Sequence, residues 1–160
     1  MTGLRSYALI AATLLGALLV SVLPYPHAYL LGRPLWLPLV TGYWCLAAPR
    51  RMGIFTAWTA GLLADAALAS PFGEHALALS VFAYMMSRYH LRIRNLPMGL
   101  QMLFVGLNLL LYEFLIFWIN GLTSKTGPIL PYGLPVLVST ALWPLVFFPL
   151  RRLRRRYRIH

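Results

Sequence analysis

Apolar residues in this chain come in long runs, and the polar residues that break them are mostly arginines, prolines and glycines. At 1.5 Å per helical residue, a run of about 20 residues crosses the roughly 30 Å hydrocarbon core of a bilayer. Six runs approach that length: residues 7–23, 29–48, 53–68, 74–89, 98–119 and 131–150. The pattern predicts an all-α integral membrane protein with six transmembrane helices in one bundle. The first run has no small-residue cleavage site before Pro24, so it reads as a retained helix and not a signal peptide. The second contains Pro34 and Pro38, which remove backbone donors and are expected to kink or split it. A tight connection, Ala69 to Gly73, joins the third run to the fourth. The fifth, from Met98 to Ile119, is the longest and cleanest, and a polar loop through Ser124, Lys125 and Gly127 leads to the sixth.

Composition agrees with this reading. Of 160 residues, 60% are hydrophobic and 11% charged, against roughly 25% charged in a soluble domain, so the chain lacks the material for a water-facing surface. The whole chain, 1–160, reads as a single polytopic membrane domain ending in a basic tail, 151–160. The lone cysteine, Cys45, forms no disulfide framework and no metal-ligand spacing, and reads as helix packing. A net charge of +11 would raise nucleic-acid binding in a soluble protein. Here the arginines flank apolar runs, as topological charges do.

Those charges orient the spans. Alternating six helices places Arg5, Arg50, Arg51, Arg88, Arg92, Arg94, Arg151, Arg152, Arg154, Arg155, Arg156 and Arg158 on one side and leaves only Arg33 and Lys125 on the other. The side richer in Lys and Arg is the cytoplasmic one, which puts both termini inside.

Acidic residues number three: Asp65, Glu74 and Glu113. An ionisable group at membrane depth costs a few kcal/mol, so each demands an account. Gly53, Ala57, Gly61, Asp65 and Ala69 recur every fourth residue, a stripe of small side chains that lets another helix approach and turns Asp65 toward the interior; the competing reading has Asp65 only cap the exit loop. Its candidate donors are the free N–H groups at the start of the fourth helix, Arg33 and His75. If it only accepts hydrogen bonds, Asp65→Asn retains much of the function. Glu74 follows Pro71, Phe72 and Gly73 at a helix start and reads as a local helix cap, with His75 beside it as a hydrogen-bonded anchor. Glu113 shares a helix face with Gly99, Gly106 and Asn120, while Gln101, Asn108 and Tyr112 form a second polar stripe, which implies protein on more than one side of the fifth helix. Trp36, Trp44, Trp118 and Trp143 read as interface anchors or packing residues. The arginines at 151, 152, 154, 155, 156 and 158 form a candidate surface for anionic lipid or a cytoplasmic partner. No nucleophile elbow, P-loop, metal motif or converging carboxylate pair is apparent, so no catalytic, cofactor or metal residue is assigned.

The stretch Gly61-Leu62-Leu63-Ala64-Asp65, followed by Ser70-Pro71-Phe72-Gly73-Glu74-His75-Ala76-Leu77, resembles the MreD family of rod shape-determining proteins. The likeness extends to size, span number and charge layout, though the strongly basic tail is not diagnostic of the family. It implies a fold similar to the substrate-binding subunits of energy-coupling-factor transporters. It further implies a non-enzymatic scaffold of the cell-wall elongation complex in the bacterial cytoplasmic membrane, without cofactor and without nucleic acid. The implied partners are MreC, a single-span membrane protein, together with the MreB filament, the glycan polymerase RodA and its transpeptidase. Gly53, Ala57, Gly61, Asp65, Gly73, Gly106 and Glu113 are the expected helix-packing or partner positions. The alternative is a transporter subunit that captures a small molecule in a pocket near Asp65, Glu74, Glu113 and Trp118.

Overall fold

The computed structural model describes residues 2–23, 32–122 and 130–157. Among them are seven helices and no strand: α1 (Thr2–Val22), α2 (Trp36–Ala47), α3 (Ile54–Leu68), α4 (Glu74–Arg88), α5 (His90–Arg94), α6 (Met98–Leu122) and α7 (Leu130–Arg156). Two stretches, Met98–Leu122 and Gly133–Arg156, are long and apolar enough by themselves to cross a membrane.

Helix α1 starts at Thr2, ahead of the run read from residue 7, and three further features depart from the sequence reading. Helix α2 begins only at Trp36, so Pro34 precedes it and Pro38 falls in its first turn. The N–H groups of a first turn have no partner within the helix, so proline costs little there and the helix is not split. The short helix α5 was not anticipated; it occupies the arginine-rich connection after α4 and is held where Gln101 Nε2 donates to the carbonyl of Ile93 at 3.0 Å. Helix α7 runs through the arginine run to Arg156. Arginine is a good helix former, and cations are favoured at a helix C-terminus, so the basic tail begins as helix.

Helix α2 is the central element. Residues Leu37 to Leu46 are all buried, and Tyr43 and Trp44, with Phe82 of α4 and Trp143 of α7, are among the largest enclosed side chains. Trp44 Nε1 donates to Thr13 Oγ1 of α1 at 2.9 Å, and the N–H of Leu35, which caps α2, donates to Ser139 Oγ of α7 at 2.7 Å. Thus Trp44 and Trp143 are packing residues, whereas Trp118 is exposed.

Large apolar side chains are widely exposed, while eight polar or charged residues among those described, Asp65, Glu74 and Glu113 included, are buried. On α6, Leu100, Leu103, Leu107, Leu110, Phe114 and Trp118 form an exposed stripe at helical spacing, while Gln101, Asn108, Tyr112 and Glu113 are buried. From Gln101 to Glu113 the two polar stripes merge into one broad buried face against α4 and α7, with Gly99 outside it.

Helix ends gather into two groups. At one end, Tyr7 of α1 and Arg51 border the same groove, and Arg154 Nη1 donates to the carbonyl of Ala47 at 3.0 Å. At the other, the last turns of α1 and α3 meet the segment around Arg33 and the start of α4.

Candidate functional site

Helices α3 and α4 pack against each other more extensively than any other pair among the described residues, and the turn between them is dictated by its residues. Helix α3 stops where Ala69 takes the left-handed conformation, φ 52°, and the N–H groups of Ala69 and Ser70 both return to the carbonyl of Asp65. Pro71 then accepts from the N–H of Glu74 at 3.1 Å, and Gly73, at φ 97°, is the N-cap of α4. That conformation favours glycine, and glycine has no side chain with which to cap.

Asp65 supplies the missing cap from the preceding helix. Its Oδ2 accepts from the N–H of Gly73 at 2.9 Å and of Ala76 at 3.4 Å, and its Oδ1 accepts from the N–H of His75 at 2.8 Å and from Ser70 Oγ at 3.0 Å. His75 Nδ1 stands 2.9 Å from the same Oδ1 and 3.2 Å from Ser70 Oγ, so a proton on Nδ1 serves both oxygens. A carboxylate, negative and acceptor-only, matches the positive N-terminal end of α4 and its free donors.

The capping carboxylate is therefore that of Asp65, where the sequence assigned the role to Glu74. Glu74 is buried in the first turn of α4, and its Oε1 accepts from Asn120 Nδ2 at 2.7 Å, tying the start of α4 to the far end of α6. Nothing in the local sequence around Glu74 announces a partner 46 residues away. Asn120 has no legible role in the sequence for the same reason, whereas Ser70, inside the turn and bonded to Asp65, could have been found from its position.

The small-residue stripe divides. A Cβ on Gly61 would fall against the Cα of Ala76, 2.6 Å from its N and 2.7 Å from the His75 carbonyl oxygen, so backbones touch there; Ala57 is buried. Gly53, by contrast, has nothing within 4 Å of the place for a Cβ among the described residues, and it is the N-cap of α3, outside the seam. Gly106 marks a second close approach, to the Thr140 side chain of α7 at 2.8 Å.

Tyr112 lies on the same helix as Glu113, packs its ring against His75 with centroids 6.4 Å apart, and is within electrostatic reach of the three acidic residues. They are 1%, 3% and 8% exposed for Asp65, Glu74 and Glu113, so none meets solvent. The cavity beside them, bordered by Arg33, His75 and Tyr112, holds about 110 Å³; ligand pockets run from about 300 Å³ upward. Glu74, Glu113 and Trp118 do not border it. No cluster of three metal-ligating side chains occurs among the described residues either. What the arrangement does chemically is to hold helices: both oxygens of Asp65 are occupied by donors.

The tail arginines lie at the opposite end. Arg154 is half-buried on Ala47, Arg151 stacks on Phe147 with 5.9 Å to the ring centroid, Arg152, Arg155 and Arg156 are exposed, and Arg158 lies outside the described residues.

The family model for rod shape-determining protein MreD matches residues 4–153, nearly the whole chain, including the Asp65 turn and the first arginines of the tail. The chain belongs to the MreD family. Rod shape-determining protein MreD of Haemophilus influenzae is 33% identical over 144 residues, which is 90% of this chain and 89% of that protein. No solved structure matches the chain. Family membership gives this MreD-family chain a role in determining rod cell shape.

Gly73 offers a test of the turn that needs no partner. A methyl group there meets open space, yet the positive φ makes any L side chain strained. Gly73→Ala is expected to destabilise by about 1–2 kcal/mol, whereas Gly99→Ala, in an open helical position, stabilises by up to about 1 kcal/mol. Thermal unfolding of the purified protein in detergent reads both; equal midpoints would show that the turn tolerates the strain.

Proposed function

We propose that this protein is a non-enzymatic, multi-pass scaffold subunit of the cell-wall elongation complex in the bacterial cytoplasmic membrane. It binds MreC and works beside the MreB filament, RodA and its transpeptidase. The observation that carries this reading is the family match over residues 4–153. The fold supports it: the buried carboxylates of Asp65 and Glu74 join α3, α4 and α6, and exposed apolar helix faces are left for partners. Such faces associate in lipid through close packing.

In this reading the chain crosses six times, through α1, α2, α3, α4, α6 and α7, with both termini cytoplasmic. The grouping of helix ends and the twelve basic residues on one side favour it. Helix α2, 12 residues and so only about 18 Å long, needs no match to the bilayer because protein surrounds it.

The experiment replaces the resident MreD-family protein of a rod-shaped bacterium with this chain and recovers it in mild detergent. Rods are expected, with MreC co-purifying. Rods without any MreC in the eluate would reject the scaffold reading. In a Cys45-free background, a cysteine at Ala69 should react with an impermeant thiol reagent from outside and one at Asn95 should not; the opposite pattern would reverse the topology.

A further inference from the structure

The basic end contains a cavity of about 310 Å³ bordered by Arg94, Arg151, Arg154, Tyr43 and Phe147, with Leu46 and Ala47 completing an apolar wall. Helices α2, α5 and α7 each contribute, so residues 43, 94 and 151 meet only in the folded chain. Two arginines are held in place: Arg154 by the Ala47 carbonyl and Arg151 by the face of Phe147, whose ring is in turn edge-on to Tyr43 at 5.6 Å. Tyr43 is 2% exposed, and its hydroxyl has no hydrogen-bond partner among the described residues although Arg154 and Arg151 lie within its electrostatic reach.

An unpaired buried hydroxyl is costly, and gathered guanidinium groups repel one another. Both costs call for an anion. No carboxylate side chain supplies one: Asp65, Glu74 and Glu113, the three in the sequence, do not border this cavity. We propose that this cavity binds a phosphoryl anion, the phosphodiester headgroup of an anionic phospholipid. Guanidinium forks match phosphate oxygens, the phenol adds one more donor, and Leu46 and Phe147 suit the glycerol and first methylenes of a lipid better than they suit free phosphate. Basic pockets between membrane helices take lipid headgroups in this way. The remaining tail arginines are not equivalent: Arg152 and Arg156 border a separate open groove on α7.

Lipid retention by the full chain, measured by native mass spectrometry from neutral detergent with phosphatidylglycerol or phosphatidylcholine added, tests the site. Phosphatidylglycerol is expected to bind and phosphatidylcholine to bind weakly. Removing two pocket charges in Arg94→Gln/Arg151→Gln should weaken phosphatidylglycerol binding about tenfold or more, and Arg152→Gln/Arg156→Gln, with the same net charge, less than about twofold. Tyr43→Phe removes an unpartnered hydroxyl, so it should leave the melting midpoint unchanged or higher and still lower retention about threefold. Equal losses in the two double variants, or unchanged retention in Tyr43→Phe, would overturn the site. Displacement of the lipid by inorganic phosphate at cytosolic concentration would overturn the lipid assignment in favour of a soluble phosphate.

Discussion

Gly61→Ala, which adds one methyl group, is expected to be among the most damaging single substitutions in this chain. Alanine favours a helix over glycine by about 1 kcal/mol, so intrinsic propensity predicts a gain. The new Cβ would stand 2.6 Å from the backbone N of Ala76 and 2.7 Å from the carbonyl oxygen of His75. Side chains rotate away from such contacts; backbone atoms inside a helix do not. Relief requires α4 to move as a body, and that motion lengthens the bonds from His75 and Ala76 to Asp65. Overpacking costs about 1–3 kcal/mol, to which the weakened cap adds. Gly106→Ala presses instead on the Thr140 side chain and should lose less, and Gly53→Ala should be neutral because its site is open. Melting midpoints of the three variants in detergent, with cell shape at matched membrane levels, give the ranking. A Gly61→Ala protein as stable as the parent, with Gly106→Ala impaired, would refute the α3–α4 seam.

Asp65 should show the second large effect. Asp65→Leu leaves the N–H groups of Gly73 and His75 and the hydroxyl of Ser70 without their acceptor in a buried place, each at about 1–3 kcal/mol. The sum is enough to unfold the turn, and loss of rod shape should follow loss of folded protein. Asp65→Asn is less mild than the sequence alone implies. Both carboxylate oxygens accept from donors, so the amide NH2 must face either the Gly73 and Ala76 pair or the His75 and Ser70 set. The better choice turns it toward Gly73 and costs about one lost bond, roughly 1–3 kcal/mol. The expected order of stability and of cell shape is Asp, then Asn, then Leu. A role in proton transfer would separate the two readouts: Asn would fold and melt near the parent and yet give round cells, and that outcome would exclude a purely structural Asp65.

Much of the fold was legible because burial in lipid writes itself directly into composition. The limits of α3, α4 and α6 were readable to within a few residues, since apolar length, glycine and proline set them locally. Pro38 was misleading because its effect depends on where the helix starts, and Trp36 starts it only once Ser139 of another helix holds Leu35. The pair Asp65 and His75 was readable as near neighbours across a short turn. The pairs Glu74 with Asn120 and Tyr43 with Arg94 were not, because residues 46 and 51 positions apart meet only after three helices have packed.

By itself the sequence determined that the chain is helical, apolar along its helices and sharply asymmetric in charge, because these properties follow from residue types summed over short windows. It also determined that three carboxylates had to be buried or paired. The tertiary structure decided which donors they meet. It gave the cap of α4 to Asp65 and not to Glu74, narrowed the glycine stripe to the point where Gly61 touches Ala76, and divided the tail arginines between a cavity and an open groove. The physical reason is range: hydropathy acts wherever a residue goes, whereas a hydrogen bond or a steric contact is settled within a few tenths of an ångström, a distance fixed only by the packing of helices remote in sequence.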